Sequence, residues 1–245
     1  MDMLKFEIGL LTLLCVTFPQ MRIHAARGPE STGTIMSAEA GLPCHLDVGC
    51  TGVNRVKAHS AFMVYDTREK ALTRRYGNSS FYRPLNGVWD FLYFDSDRDI
   101  PAGIENPETD IEWNSIRVPG NWEGQGFGVP IYTNHGYEFK PKNPQPPTLP
   151  DANPVGVYRR GFTVPEGWNG RDIFLHLAGA KSGMYVYVNG KPVGYSEDSK
   201  NPAEFRINDY LKSGENTLVL KIYRWSTGSY LECQDFFRIS GIERD

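Results

Sequence analysis

The 245-residue sequence has no CxxC pair, no HExxH and no GxSxG. A cysteine-based zinc site, a zincin centre and a nucleophile-elbow hydrolase therefore have no support. It also has no basic stripe. Lys and Arg are scattered and the formal net charge is −3, which removes the electrostatic case for a nucleic-acid partner. Apolar runs are short. The longest near the start, Ile8–Phe18, is about the length of a signal h-region and too short to span a bilayer. Four cysteines are too few for a disulfide framework: Cys15 lies in that run, Cys233 stands apart, and Cys44 and Cys50 enclose a short loop. Whether those two pair is left open by the sequence; an oxidising compartment would permit it.

What is present is punctuation and aromatics. With 25 Gly, 17 Pro and 13% aromatic residues, the composition suits many short strands separated by turns. Residues 1–26 form one unit. Lys5 precedes the apolar run and Ala25-Ala26 offers a small-residue cleavage site, so a signal peptide and export to the periplasm or medium are expected. Asp2 and Glu7 weaken the positive region, which keeps a buried helix as the other reading. Leu14, where a small residue would precede a lipidated cysteine, argues against a lipoprotein. Residues 27–53 lack a sustained period and are expected to be linker or disordered. Residues 54–79 read as a lead-in segment, extended over Ala58–Tyr65 with a helical turn or two in Thr67–Arg75.

From residue 80 to 245 the pattern is that of strands. The expected strands are Trp89–Phe94, Ile116–Val118 before the Pro119-Gly120 turn, and Val157–Val164 with a bulge at Gly161. Ile173–Leu177 and Met184–Val188 follow. The latter runs into Asn189-Gly190, a strong hairpin signal, and Val193–Tyr195 returns. Phe205–Leu211 and Thr217–Trp225 complete the set. Many short strands with little helix imply an all-β sandwich or jelly roll. The Pro-rich stretch 134–155 has no period and is expected to be a long surface loop of functional interest.

Tyr223–Asp245 mixes rings, carboxylates, an amide and arginines, a combination suited to gripping a neutral polyhydroxylated ligand. The carboxylate clusters are Glu197-Asp198 and Glu232/Asp235. Glu197-Asp198 is read as a solvated loop. Asp235, flanked by rings, reads either as a ligand or cation contact or as a structural hydrogen-bond acceptor. Asn134 by itself reads as a turn residue. Trp89 and Trp225 are expected in the core, whereas Trp122 follows a turn and has a second reading, packing against another domain. Phe236 and Phe237 are either core or sugar platforms. Arg224 and Arg238 are expected to brace loops or carboxylates with their planar forks.

A set of phrases in a fixed order carries a resemblance. They are Leu85-Asn86-Gly87 with Trp89 and Phe91; Val118-Pro119-Gly120-Asn121-Trp122; Pro130-Ile131-Tyr132-Thr133-Asn134; Asn153-Pro154 with Tyr158-Arg159-Arg160; Val188-Asn189-Gly190; Val193-Gly194-Tyr195-Ser196; Pro202-Ala203-Glu204-Phe205; and Arg224-Trp225-Ser226 through Ser240-Gly241-Ile242. From about residue 54 to the end, the chain resembles the amino-terminal sugar-binding domain of family 2 bacterial β-galactosidases. The resemblance implies a galactose-binding-like jelly-roll β-sandwich with an irregular amino-terminal extension, here expected to lack its last strand. It implies a truncated enzyme for terminal non-reducing β-D-galactosides, whose catalytic glutamates lie on a (β/α)8 barrel absent from this chain. The chain alone is then expected to be inactive, with no catalytic residue of its own. Asn134 and Asp235 map to galactosyl-binding positions, and Asp235 to part of a sodium site. Sodium, and magnesium in the whole enzyme, are the implied ions; the implied partners are a galactoside and the barrel. A freestanding carbohydrate-binding module is the alternative reading. Three departures stand out: Cys233 in place of an acidic residue, Thr227 in place of an acidic or amide residue, and residues 27–52, which do not match the family's usual start.

Overall fold

The computed structural model describes residues 35, 41–139 and 143–244. The expected signal peptide, with Cys15, lies outside the described residues. In chain order the elements are β1 (Gly52–Val53), α1 (Arg68–Leu72), β2 (Gly87–Phe94), β3 (Asn114–Val118), β4 (Gly120–Asn121), β5 (Ile131–Thr133) and β6 (Val155–Thr163). They continue with β7 (Phe174–Leu177), β8 (Gly179–Lys181), β9 (Gly183–Val188), β10 (Lys191–Ser196), β11 (Ala203–Arg206), β12 (Glu215–Tyr223), β13 (Phe236–Arg238) and β14 (Gly241–Arg244). The all-β expectation holds, and the strand pairs are antiparallel.

The central sheet has seven strands in the order β1-β10-β9-β12-β6-β2-β3. Alternation along β12 explains its two faces. Leu218, Leu220 and Ile222 point one way, into a core shared with Leu175 and Leu177 of β7, Phe205 of β11 and Ile242 of β14. The small sheets β11-β7 and β4-β14-β8 therefore form the second layer of a sandwich. Val219 and Tyr223 point the other way, to Tyr185, Tyr187, Tyr195, Ile104 and the Cys44–Cys50 loop. Burial on both faces makes β9 a continuous buried run without a polar side. Each fully buried aliphatic side chain in it contributes about 1.5–3 kcal/mol.

The second face corrects the linker reading of residues 41–53. Cys44 and Cys50 are disulfide-bonded and buried, and β1 pairs with β10. His45 stacks on Tyr223 at 4.0 Å and bonds the Tyr185 hydroxyl through its Nδ1 at 2.8 Å. A Gly- and Ser-rich composition suggested disorder, but two cysteines and one histidine suffice to dock this cover. The lead-in segment docks too. Val56 N–H donates to the Glu204 carbonyl at 2.9 Å, and Thr67 caps the short α1 by accepting from Lys70 N–H at 3.2 Å.

Gly190 and Gly161 behave differently from one another. Asn189 and Gly190 have φ of 53° and 77°, the left-handed pair that a two-residue hairpin requires. Gly161 forms no bulge: the β6–β12 register runs through it without a shift. A side chain there would meet Glu215 Oε1 at 2.5 Å, the far end of an exposed side chain that can move aside.

Burial holds the His45 pKa down at about 4, from 6.5. The unfolded chain takes up a proton below its ordinary value and the folded chain resists it. Stability is therefore complete above pH 6.5 and is lost as pH falls toward 4, by an order of about 3 kcal/mol. Urea melts at about pH 7.5 and about pH 4.5 should show wild type losing roughly 2–3 kcal/mol more than His45→Gln. Equal losses would contradict this assignment.

Candidate functional site

The site grows from the shortest ladder in the molecule. β5 and β13 pair antiparallel, with Phe236 opposite Thr133, Phe237 opposite Tyr132 and Arg238 opposite Ile131. One residue beyond the Phe236–Thr133 pair on each strand stand Asp235 and Asn134. The ladder thus brings together two residues that are 101 positions apart (235 − 134). Both are exposed. The Tyr132 hydroxyl donates to Asp235 Oδ1 at 2.8 Å, and this acceptor raises the tyrosine's own pKa. Asn134 Oδ1 lies 2.8 Å from His135 Nδ1, so the imidazole is the donor there. Tyr132 and Phe237 rings sit 5.3 Å apart on the same surface, and both are more than half exposed.

Beneath this surface the chain is tightly braced. Arg238 is buried and its guanidinium donates to the Glu232 carbonyl at 2.7 Å and to the Gln234 carbonyl, gripping the loop that carries Asp235. Arg224 donates to the Val129 carbonyl at 2.9 Å, just before β5, and to the Arg238 carbonyl at 3.2 Å. Both arginines therefore brace loops, as their forked donors suit them to do. Glu138 is buried against Trp225, whose indole N–H donates to its carboxylate. Phe139 packs edge-on against that indole, and Tyr137 and Tyr230 pack on Phe139 and on each other. The Pro-rich stretch is not all surface: Asn153 is buried, and its amide both donates to and accepts from the backbone of Trp225 at 2.8 and 3.1 Å.

Several residues lie elsewhere than expected. Glu197 is not solvated; it is 4% exposed and accepts from the Tyr195 hydroxyl and the Thr227 hydroxyl, each at 2.9 Å. Burial raises its pKa. Thr227 thus supplies a donor where an acidic residue would place a second negative charge against a buried carboxylate. Trp122 is fully buried in the sandwich core, touching Phe91 and Tyr93, and does not project toward a partner. Trp89 and Trp225 are buried as expected. The rings after Asp235 divide: Phe237 is exposed, while Phe236 lies under the cations of Arg238, Lys181 and Lys200 at 4.4, 5.4 and 5.4 Å. Cys233 donates its thiol to the Ser229 carbonyl at 3.1 Å, two residues before Asp235.

The arrangement can bind polar ligands. An amide and a carboxylate can pair with adjacent hydroxyls, and the exposed rings can cover C–H faces. A cleft of about 470 Å³ lies elsewhere, between His45, Asp97, Arg98 and Pro147–Asn153. Asn134 and Asp235 do not line it; they stand on an exposed surface. For a hard cation, Asp235 offers carboxylate oxygen. The described residues hold no grouping of three His, Cys, Asp or Glu side chains fit for a metal. Asp235 would give such a cation one carboxylate ligand.

The match to known proteins is specific. The family model "Glycosyl hydrolases family 2, sugar binding domain" covers residues 82–245. This chain belongs to that family. The family-2 match runs from just before β2 through β14 and includes Asn134 and Asp235; the disulfide-bonded cover and the lead-in segment precede it. A β-galactosidase from Priestia megaterium is 44% identical over 196 residues, covering 79% of this chain and 19% of the relative. One from Psychromonas ingrahamii is 41% identical over 191 residues, covering 78% and 18%. The chain thus spans about a fifth of the length of these curated relatives. Among solved structures, Bacteroides uniformis β-glucuronidase 2 is 26% identical with a TM-score of 0.49, covering 66% of this chain and 17% of that one.

Proposed function

We propose that this chain is a sugar-binding wall of a β-galactosidase acting on terminal β-D-galactosides. Its Asn134 and Asp235 hold galactosyl hydroxyls, while a partner (β/α)8 barrel supplies the reacting acids. The observation that carries this reading is the β5–β13 ladder, which sets the amide and the carboxylate side by side beside exposed rings. The identity to β-galactosidases supports the choice of sugar. Glycoside hydrolysis needs two carboxyl groups across the scissile bond. At this surface Asp235 is exposed, whereas Glu138 is buried against Trp225. Asp235 also contributes one oxygen to a sodium ion whose other ligands come from the barrel. Binding of this sort orients the sugar, and a misplacement of about 1 Å costs on the order of 10²-fold in rate.

The test supplies this chain to the Priestia megaterium enzyme lacking its matched segment and follows a chromogenic β-galactoside. Wild-type chain should restore turnover; Asp235→Ala should lower kcat/KM by roughly 10²-fold and remove the response to sodium. The chain by itself should not hydrolyse the substrate. Turnover by the pure chain, abolished by its own mutations, would overturn the division of labour. Micromolar or tighter galactose binding by the chain alone would favour a freestanding carbohydrate-binding module.

Export is part of the same proposal. The Cys44–Cys50 disulfide supports an oxidising destination, and the Ile8–Phe18 run supplies the means. Secreted or periplasmic protein should begin near Arg27 when its amino terminus is sequenced. Protein retained in the cytoplasm with Met1 intact would contradict export.

A further inference from the structure

Two loops carry the site, and one buried carboxylate lies under both. Glu138 is four residues past Asn134, on the loop that leaves β5. Arg238 closes β13 and grips the carbonyls of Glu232 and Gln234, on the loop that carries Asp235. Glu138 Oε2 lies 3.9 Å from Arg238 Nε and 3.8 Å from Lys181 Nζ, and all three side chains are at most 5% exposed. Its other oxygen accepts from the Trp225 indole. Neither Glu138 Oε2 nor Arg238 Nε makes a direct hydrogen bond among the described residues. Beside the backbone hydrogen bond of Glu138 with Cys233, charge attraction across this short gap joins the two loops, in a setting where it is weakly screened. Burial pushes the Lys181 ammonium's pKa down, and the Glu138 carboxylate opposes that. Glu232 also draws on Lys181, and Arg238 keeps its two carbonyl acceptors, but Glu138 is the carboxylate that faces both buried cations, so its loss leaves Lys181 and Arg238 in mutual repulsion there.

We infer that Glu138 is a positioning residue, whose buried carboxylate fixes the spacing of the Asn134 loop and the Asp235 loop from below through Arg238 and Lys181. The inference rests on the sugar-binding reading of Asn134 and Asp235 for its functional meaning, but not for its test. Arg224 ties the two strands at their Val129 and Arg238 ends, and Glu138 supplies the link beneath the loops at the other end of the three-pair β5–β13 ladder. The large β6–β12 ladder, with nine register pairs, does not depend on it.

The test is hydrogen exchange followed by NMR on the sugar-free chain, comparing wild type with Glu138→Gln. The amide keeps an oxygen for the Trp225 indole and removes the charge. Amides of residues 131–136 and 233–238 should exchange at least about tenfold faster, an opening shift readable as local unfolding. Those of β6 and β12 should be unchanged. If Glu138→Gln does not fold, the double variant Glu138→Gln/Lys181→Met removes the unpaired buried lysine and is read the same way. Unchanged protection at 131–136 and 233–238 would overturn the inference. So would loss spread evenly over β6 and β12, which marks a merely structural residue. Because no sugar is present, a failure here leaves the galactoside reading standing, and a failure of that reading leaves this result intact.

Discussion

The three-residue pairing of Ile131–Thr133 with Phe236–Arg238 is the constraint on which the site depends. Neither strand is long enough to be stable by itself. Each is held because its flanks are anchored in the sandwich. Arg224, buried at the end of β12, donates to the carbonyls of Val129 and Arg238 and so touches both strands. The carboxylate of Glu123 accepts from Ser240 N–H at 2.8 Å and lies 3.7 Å from Arg224, tying the β4 turn to the approach of β14. The ladder transmits the rigidity of a large core to two exposed polar side chains. That is the physical requirement for a sugar-contacting surface: ordered acceptors and donors that were not made rigid by the ligand.

The interior shows how a doubly buried sheet handles polar groups. Tyr185, Tyr187, Tyr195 and Tyr223 fill the second face with rings, and their hydroxyls need partners. His45 and Glu197 meet two of them: His45 bonds Tyr185, and Glu197 accepts from Tyr195. Lys221, which points to the same face from β12, is paired with buried Glu105. Removing one member of such a pair leaves an uncompensated buried charge, which costs more than the pair itself contributes. The disulfide loop is thus more than a covalent clip; it brings a histidine that closes the aromatic face.

Much of the fold was legible because long strands carry their own signal. Residues 215–223 alternate between two apolar faces, and Asn189-Gly190 has the chemistry of a tight hairpin. The short strands β4, β5, β8, β13 and β14 were not legible, since two to four residues cannot establish a period. They are defined by partners far away in sequence. Asn134 and Asp235 were found through ordered phrases rather than through spacing, and local chemistry alone favours a turn residue at Asn134. Trp122 misled because a tryptophan after a turn gives no sign of the core it enters. Glu197 misled because a Glu-Asp pair reads as solvated until the Tyr195 and Thr227 hydroxyls are seen against it. The cover at 41–53 was missed because its burial depends on an aromatic face built by residues more than a hundred positions later. Glu138 had no sequence signal at all: its role exists only where Lys181, Trp225 and Arg238 converge.

The central claim is that one short ladder places Asn134 and Asp235 together before any sugar or partner arrives. The most direct measurement is a nuclear Overhauser spectrum of the isolated chain in sugar-free buffer. The account predicts cross-strand contacts between Thr133 and Phe236 and between Tyr132 and Phe237, with Tyr132 ring signals close to Asp235. Random-coil shifts over residues 232–238 with no contact to residues 131–134 would contradict it, since the two side chains would then share no surface of this chain's own making.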